Sequence, residues 1–202
     1  METDIWGDGL AEVQASLETG GHWLRFQDGD CKKLRLLGTL TDGNMIRGWL
    51  SFGLNSKPIY KLHREDISPE MLGIDPWGNP QKVWPFWCLP VWDHGTEKIQ
   101  LWEIRQQTLQ QRLFTLTSPA ARNAQWSDWR TYDLEVAYNR KLPPGQMWSC
   151  SPLPHAELSP ETKTKVWECL SGIKMAGLFD GQDPLDPVAQ SNPSQSPFDA
   201  TT

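Results

Sequence analysis

Short stretches in which polar and apolar residues alternate recur along the chain and predict β-strands. Residues 23–26 and 33–37 show this pattern on either side of the turn sequence Gln-Asp-Gly-Asp, which predicts an opening hairpin. Further strands are predicted at 45–53, 82–92, 98–104, 132–138 and 146–151. Turn residues at 93–96 and 142–145 join the last four of these strands into two more hairpins.

Two segments have the period of an α-helix instead. Leu109, Leu113 and Leu116 recur at spacings of four and three, which predicts a helix over 106–116. A second helix is predicted from Ser159 to about residue 176, because Ser159 can cap it and Pro160 suits its first turn. The proline-rich segment 54–81 is predicted to be a loop-rich insertion.

These elements predict one domain that is mainly β with α-helices. A length of 202 residues fits a single core, and the economical architecture is a five-stranded OB-fold-like barrel with an inserted helix and a C-terminal helix. We place this domain at 21–178, after an acidic N-terminal segment at 1–20. Residues 179–202 are rich in Pro, Gln, Ser, Asn and Asp and are predicted to be a disordered acidic tail.

The chain contains 12 tryptophans, which is more than a domain of this size can hide completely. Some indoles are therefore expected to face a ligand that has flat faces of its own. Two ligand classes meet this condition: single-stranded nucleic acids, whose bases stack on aromatic rings, and sugars. The tryptophans alone do not choose between them.

The distribution of charge keeps a nucleic-acid partner open although the net charge is −6. Residues 1–20 carry −5 and residues 175–202 carry −4, which leaves +3 for residues 21–174. A central region with a small positive charge is compatible with phosphate contacts in a local groove. It is much less basic than a protein that binds duplex DNA tightly.

Other features exclude several classes of protein. No apolar run reaches the roughly 20 residues of a membrane span, and the polar N-terminus is unlike a signal peptide, so we expect a soluble, cytoplasmic protein without a membrane partner. The four scattered cysteines are expected to be reduced and mostly buried. The chain lacks the usual catalytic motifs, and its histidines are isolated from one another, so we expect no enzymatic activity and no cofactor.

A run of motifs in the second half of the chain carries a more specific resemblance. The sequences VWD at 91–93, KIQLWEIRQQTLQ at 98–110, WSD at 126–128, YDLEV at 132–136 and SPLP at 151–154 occur in this order. This arrangement resembles the core of the T-even-phage-type single-stranded DNA-binding proteins, a helix-destabilising family. The likeness covers about residues 20–175 and is densest over 91–154.

The resemblance implies an OB-fold that binds single-stranded DNA, or RNA, during replication, recombination or repair, with little sequence preference and no catalysis. Several family members carry a zinc module in the early insertion, but residues 54–81 offer only His63 and no cysteine, so no metal is expected. A site assembled from His63, Cys88 and distant residues is the alternative. By analogy the tail, with Phe198 and Asp199, would recruit replication or recombination proteins or screen the groove; the alternative is a solvated tail.

The candidate nucleic-acid contacts are aromatic and basic residues that interleave on the predicted hairpins. Side chains alternate between the two faces of a strand, so residues 83–92 fall into two sets. The set that contains Leu89 and Val91 is the more aliphatic and is assigned to the core, and the other set is assigned to the groove. Trp87 belongs to the aliphatic set but stays undecided between core and groove. The aromatic candidates are Trp23, Trp49, Trp84, Phe86, Trp92, Trp102, Tyr138 and Trp148. The basic candidates are Arg25, Lys33, Arg35, Arg47, Lys61, Arg105, Arg130, Arg140 and Lys141.

Each of these candidates has an ordinary alternative. Any single tryptophan can belong to the core, Trp102 can pack in a small core under the first helix, and any single cation can be a solvated surface charge. Two other functions also use exposed indoles: a carbohydrate- or peptide-binding β module, and a protein-interaction module of a replication assembly. The interleaved Arg and Lys favour the nucleic acid, and Arg140 and Lys141 beside Tyr138 and Trp148 are the pair most typical of a phosphate clamp.

Overall fold

The described part of the chain is a single antiparallel sheet with helices on its faces. A computed structural model describes residues 22–117 and 126–185. Its strands are β1 (Cys31–Leu36), β2 (Ile46–Phe52), β3 (Pro58–Lys61), β4 (Trp84–Asp93), β5 (Lys98–Ile104), β6 (Tyr132–Tyr138) and β7 (Trp148–His155). Its α-helices are α1 (Gln107–Thr117) and α2 (Pro160–Gly172), and a 3₁₀-helix follows at Met175–Asp180.

Strand β4 organises the sheet because it pairs with three other strands. One of its edges pairs with β2 through residues 84–88 and with β1 through residues 91–93, while its other edge pairs with β5 through residues 87–93. Apart from β5, the strands lie side by side in the order β3-β2-β4-β1-β6-β7. The described residues therefore form an open seven-stranded sheet, and a closed five-stranded barrel is not seen.

The prediction of a mainly β protein with α-helices is confirmed, and several elements match closely. Strands β5 and β6 begin and end at the predicted residues, and α1 lies one residue from its predicted position. Ser159 caps α2 by accepting a hydrogen bond from the backbone N–H of Thr162. Helix α2 ends at Gly172, before the predicted end near residue 176.

One prediction about the first half of the chain is wrong. Residues 23–26 are not a strand paired with β1, because both edges of β1 are occupied by β4 and β6; instead, Trp23 makes an isolated parallel bridge to Leu101 of β5. The insertion at 54–81, which is predicted to be loop-rich, contains one short strand, β3, which pairs with β2.

The two faces of the sheet are covered by different helices, and we name the faces accordingly. On the α1 face, Leu109 and Leu113 of α1 pack on Leu34, Leu89 and other sheet residues, which form the main core. On the α2 face, residues of α2 and of the following 3₁₀-helix cover Leu50, Phe86, Cys88, Leu101 and Trp92. Strand β4 is therefore buried on both faces along most of its length.

The ends of the predicted domain are only partly described. Phe179 and Leu185 pack against the core of the α2 face, so the first residues assigned to the tail belong to the fold. The acidic segment 1–20 and the tail residues 186–202 lie outside the described residues. In the described ranges, no helix has the length and apolar character needed to cross a membrane.

Candidate nucleic-acid interface

Five side chains at the β2–β3 end of the sheet form a mixed aromatic and basic surface on the α1 face. Trp49 of β2 is paired with Lys61 of β3 and with Pro85 of β4. Arg47 of β2 is paired with Trp87 of β4. Directly paired residues of an antiparallel sheet project their side chains to the same face, about 5 Å apart. We call these five residues the Trp49 surface.

The Trp49 surface continues the α1 face beyond the main core. Arg47 is exposed, and the other four side chains are partly exposed, whereas Trp102 and Ile104, on the same face of neighbouring β5, are buried. Trp87, which the sequence left undecided, packs against the edge of the main core and keeps part of its ring in solvent.

The β3 part of this surface is held in place from below. Tyr60, next to Lys61, points to the opposite face, where its hydroxyl donates to Glu103 across 2.6 Å and its ring lies edge-on to Phe86. Burial raises the pKa of Tyr60 far above its ordinary value, and the neighbouring Glu103 carboxylate adds to this effect. The phenol therefore stays protonated and keeps donating, which fixes β3 against the sheet.

The basic candidates divide into paired and unpaired cations. Neither Arg47 nor Lys61 forms an ion pair with any carboxylate in the described ranges, and the same is true of Arg25, Arg140 and Lys141. By contrast, Arg105 pairs with Glu103 at 3.1 Å and Arg130 pairs with Asp128 at 2.9 Å. A cation without a neighbouring carboxylate is the one that a phosphate can neutralise most favourably.

Lys33 and Arg35 belong to a structural ion network rather than to a ligand surface. Arg35 is 3% exposed and donates through Nε to Asp133 at 2.6 Å, while its other nitrogens donate to the carbonyl oxygens of Arg130 and Ala156. Lys33 Nζ lies 3.0 Å from the other oxygen of Asp133. Burial alone raises the pKa of Asp133, but the hydrogen bonds from Arg35 and Lys33 outweigh burial and hold this pKa below its ordinary value.

Burial removes three of the aromatic candidates from any ligand surface. Trp102 lies in the main core, and Phe86 and Trp92 lie in the cores of the α2 face. The alternation in 83–92 predicts one core face and one groove face, but α2 and the 3₁₀-helix that follows it cover the second face as well. Phe86, Trp92 and Trp102, together with buried Arg35, are therefore withdrawn as contacts.

Other aromatic candidates pack against their neighbours with part of the ring exposed. Trp23 stacks on Tyr60 with 3° between the ring planes, and Trp84 lies edge-on to Phe52. The Arg105 guanidinium lies over the Phe52 ring, 5.7 Å from its centroid. These residues lie away from the Trp49 surface or on the other face of the sheet.

Tyr138 and Trp148 form a second aromatic group on the β6–β7 hairpin. The two residues are paired across the strands with ring centroids 4.6 Å apart, and Phe26 lies edge-on to Trp148 at 5.0 Å. Arg140 and Lys141 follow in the exposed turn, where Asp28 accepts a hydrogen bond from the Arg140 backbone N–H. The turn of this hairpin thus carries two exposed cations, next to the strand ends at which the two partly exposed rings pair.

Two strongly exposed indoles were missed by the sequence reasoning. Trp77 is 83% exposed and Trp167 is 76% exposed. Trp167 borders a groove of about 790 Å³ between α2 and the sheet. Its three cations, Arg35, Arg130 and Lys163, are all paired with carboxylates. The turn sequence Asp-Pro-Trp-Gly-Asn at 75–79 was the available signal for Trp77, because a turn tip must project its side chain outward.

The remaining candidates concern metal and partner binding. Within residues 22–117 and 126–185, no three His, Cys, Asp or Glu side chains are grouped closely enough to hold a metal ion. The tail residues Phe198 and Asp199 lie outside the described residues. Comparison with protein-family models, with curated proteins and with solved structures finds no match to this chain.

Proposed function

We propose that the protein is a non-catalytic single-stranded DNA-binding protein that acts in replication, recombination or repair, and that the DNA lies on the Trp49 surface. The observation that carries this proposal is the alternation of unpaired cations and partly exposed indoles across three neighbouring strands. Arg47 is next to Trp87, and Lys61 is next to Trp49. The Cβ atoms of each such pair lie about 5 Å apart, so each ring has a cation on the neighbouring strand beside it.

The physical chemistry of such a surface suits a single strand better than a duplex. A stacked base contributes on the order of 1–3 kcal/mol, and every base has a face to stack, so binding needs little sequence preference. Bases in a duplex are already stacked on one another and cannot reach an indole on a sheet. The two unpaired cations add phosphate contacts, which makes the affinity depend on salt.

The fold also supports the proposal, in combination with the sequence resemblance. OB-folds bind nucleic acids on the surface of a curved sheet, and here one long strand, β4, divides one of its edges between β2 and β1. We propose that the domain belongs to the OB class; the motifs at 91–154 and this division of the β4 edge support the proposal. The Tyr138–Trp148 group on the β6–β7 hairpin provides a second contact of the same chemistry.

A titration of intrinsic tryptophan fluorescence tests the proposal. The protein is titrated with oligo-dT, with a DNA duplex of the same length and with a soluble oligosaccharide. Each titration is done at low and at high salt. We expect strong quenching by oligo-dT, weak quenching by the duplex, and loss of the signal at high salt. Absence of quenching by oligo-dT at low salt would overturn the proposal, and quenching by the oligosaccharide alone would establish a carbohydrate-binding module instead.

A further inference from the structure

We propose that Trp77 is a further base-stacking residue, held on a rigid hairpin that extends the DNA path beyond the end of β2. This inference rests on the proposed function, because it requires a nucleic-acid strand on the Trp49 surface. It adds a contact outside the five residues of that surface and predicts how affinity depends on the length of the DNA.

The hairpin presents the indole instead of burying it. Trp77 is the most exposed large apolar side chain of the described residues, at 83%. The Asp75 carboxylate accepts hydrogen bonds from the backbone N–H groups of Trp77 and Asn79, at 2.9 and 2.8 Å. Gly78 has a φ of +85°, which closes the turn in a conformation that other residues rarely adopt. The loop is therefore stiff, and its indole points away from the core.

Two hydrogen bonds attach the hairpin to the end of β2, and a third closes its base. The N–H of Gly73 donates to the carbonyl of Phe52, and the N–H of Gln81 donates to the carbonyl of Gly73, both at 2.8 Å. The hydroxyl of Ser51 donates to the carbonyl of Lys82 at 2.9 Å. Ser51 is two residues from Trp49 on the same face of β2, so this bond is made on the face on which Trp49 lies.

The charges around the hairpin match those of the Trp49 surface. Lys57 in the β2–β3 turn and Lys82 after the hairpin are exposed, and neither pairs with a carboxylate among the described residues. From Trp49 to Gly53 the strand advances about 13 Å. A longer DNA strand can thus contact Trp49 and Trp77 together, with lysines beside both, whereas a very short one reaches only the first.

Binding of labelled oligo-dT of about 4, 8 and 16 nucleotides, the range covered by single OB-type sites, tests the inference. Wild type is compared with Trp77→Ala, Trp49→Ala and a matched control, Trp167→Ala, which removes an equally exposed indole from α2. We expect Trp77→Ala to weaken binding of the longest oligonucleotide by about tenfold and to leave the shortest unchanged. Trp49→Ala weakens all lengths, and Trp167→Ala weakens none.

The possible outcomes separate this inference from the proposed function. If Trp77→Ala behaves like Trp167→Ala at every length while Trp49→Ala loses affinity, the inference is wrong and the proposed function stands. If wild type binds no oligonucleotide, both are wrong. Trp77→Phe retains most of the affinity if the ring stacks, and Asp75→Ala, which keeps the indole but loosens the turn, gives an intermediate loss. Equal melting temperatures of all variants exclude misfolding as the cause.

Discussion

Arg35 of β1 and Asp133 of β6 form an ion pair with a distance of 2.6 Å, and their side chains are only 3% and 2% exposed. Removing one partner of a buried pair leaves an uncompensated charge in the interior, which costs about 3–5 kcal/mol. We expect Asp133→Ala to lower the free energy of unfolding by this amount in urea denaturation. Asp128→Ala, which breaks the solvent-exposed pair with Arg130, is the matched control and should cost at most about 1 kcal/mol. Equal losses in the two variants would contradict this assignment.

The same carboxylate predicts how stability changes in acid. Hydrogen bonds from Arg35 and Lys33 hold the pKa of Asp133 below its ordinary value despite burial. A carboxyl whose pKa is lower in the folded state stabilises the fold above the unfolded pKa of about 3.9, and this contribution is lost as the pH falls through the folded pKa. Between about pH 5 and pH 3, wild type should therefore lose stability more steeply than Asp133→Asn. Parallel stability curves in urea for the two proteins would show that Asp133 is not responsible.

The sequence predicted local structure well because local structure depends on local pattern. Strands β5 and β6 alternate polar and apolar residues between clear turns, and α1 has leucines at helical spacing, so each was placed within one residue. The burial of Phe86 and Trp92 was not predictable in this way. It depends on α2 and the 3₁₀-helix, which begin more than 60 residues later in the chain and cover the second face of β4.

The candidate site shows the same limit. Arg35 and Arg47 both lie on predicted strands and each follows an aliphatic residue, Leu34 or Ile46, so the sequence does not distinguish them. They differ in the structure because the acid that neutralises Arg35 is 98 residues away, whereas Arg47 has no carboxylate partner in the described ranges. For Trp87 the sequence does not decide between core and groove, because the other residues on its face of the strand are aliphatic. In the structure Trp87 packs against the edge of the main core and is paired with Arg47.

Gly48 is predicted to be essential for the backbone that supports the Trp49 surface. A methyl group at this position would overlap the carbonyl oxygen of Lys61 and lie 3.0 Å from the Phe179 ring. We expect Gly48→Ala to lower the free energy of unfolding by about 1–3 kcal/mol, measured in urea, because β2 and β3 must separate. Gly53→Ala is the control, since its methyl group would make only ordinary contacts. A stable Gly48→Ala variant would show that β3 moves without cost.

The cysteines are predicted to differ in reactivity. Cys31 is exposed, whereas Cys88 is buried and burial raises its pKa well above the ordinary value. Burial also raises the pKa of Cys150 to about 12 and raises that of Cys169. Because the thiolate is the reactive form, a disulfide reagent at about pH 8 should modify one thiol rapidly and the other three slowly, until denaturant exposes all four. Cys31→Ser should abolish the rapid phase; a rapid phase that persists in this variant would refute the assignment.

Phosphate contacts by Arg47 and Lys61 predict a measurable change in the salt dependence of DNA binding. Each cation that neutralises a phosphate contributes about 0.7 to the slope of log K against log salt concentration for a single strand. We expect Arg47→Ala and Lys61→Ala each to reduce the slope by about this amount and to weaken binding at low salt. Arg130→Ala is the matched control because Arg130 is already neutralised by Asp128, so its slope should equal that of wild type. If Arg130→Ala lowers the slope while Arg47→Ala and Lys61→Ala leave it unchanged, the DNA contacts the α2 side of the sheet, and the Trp49 surface is not the binding site.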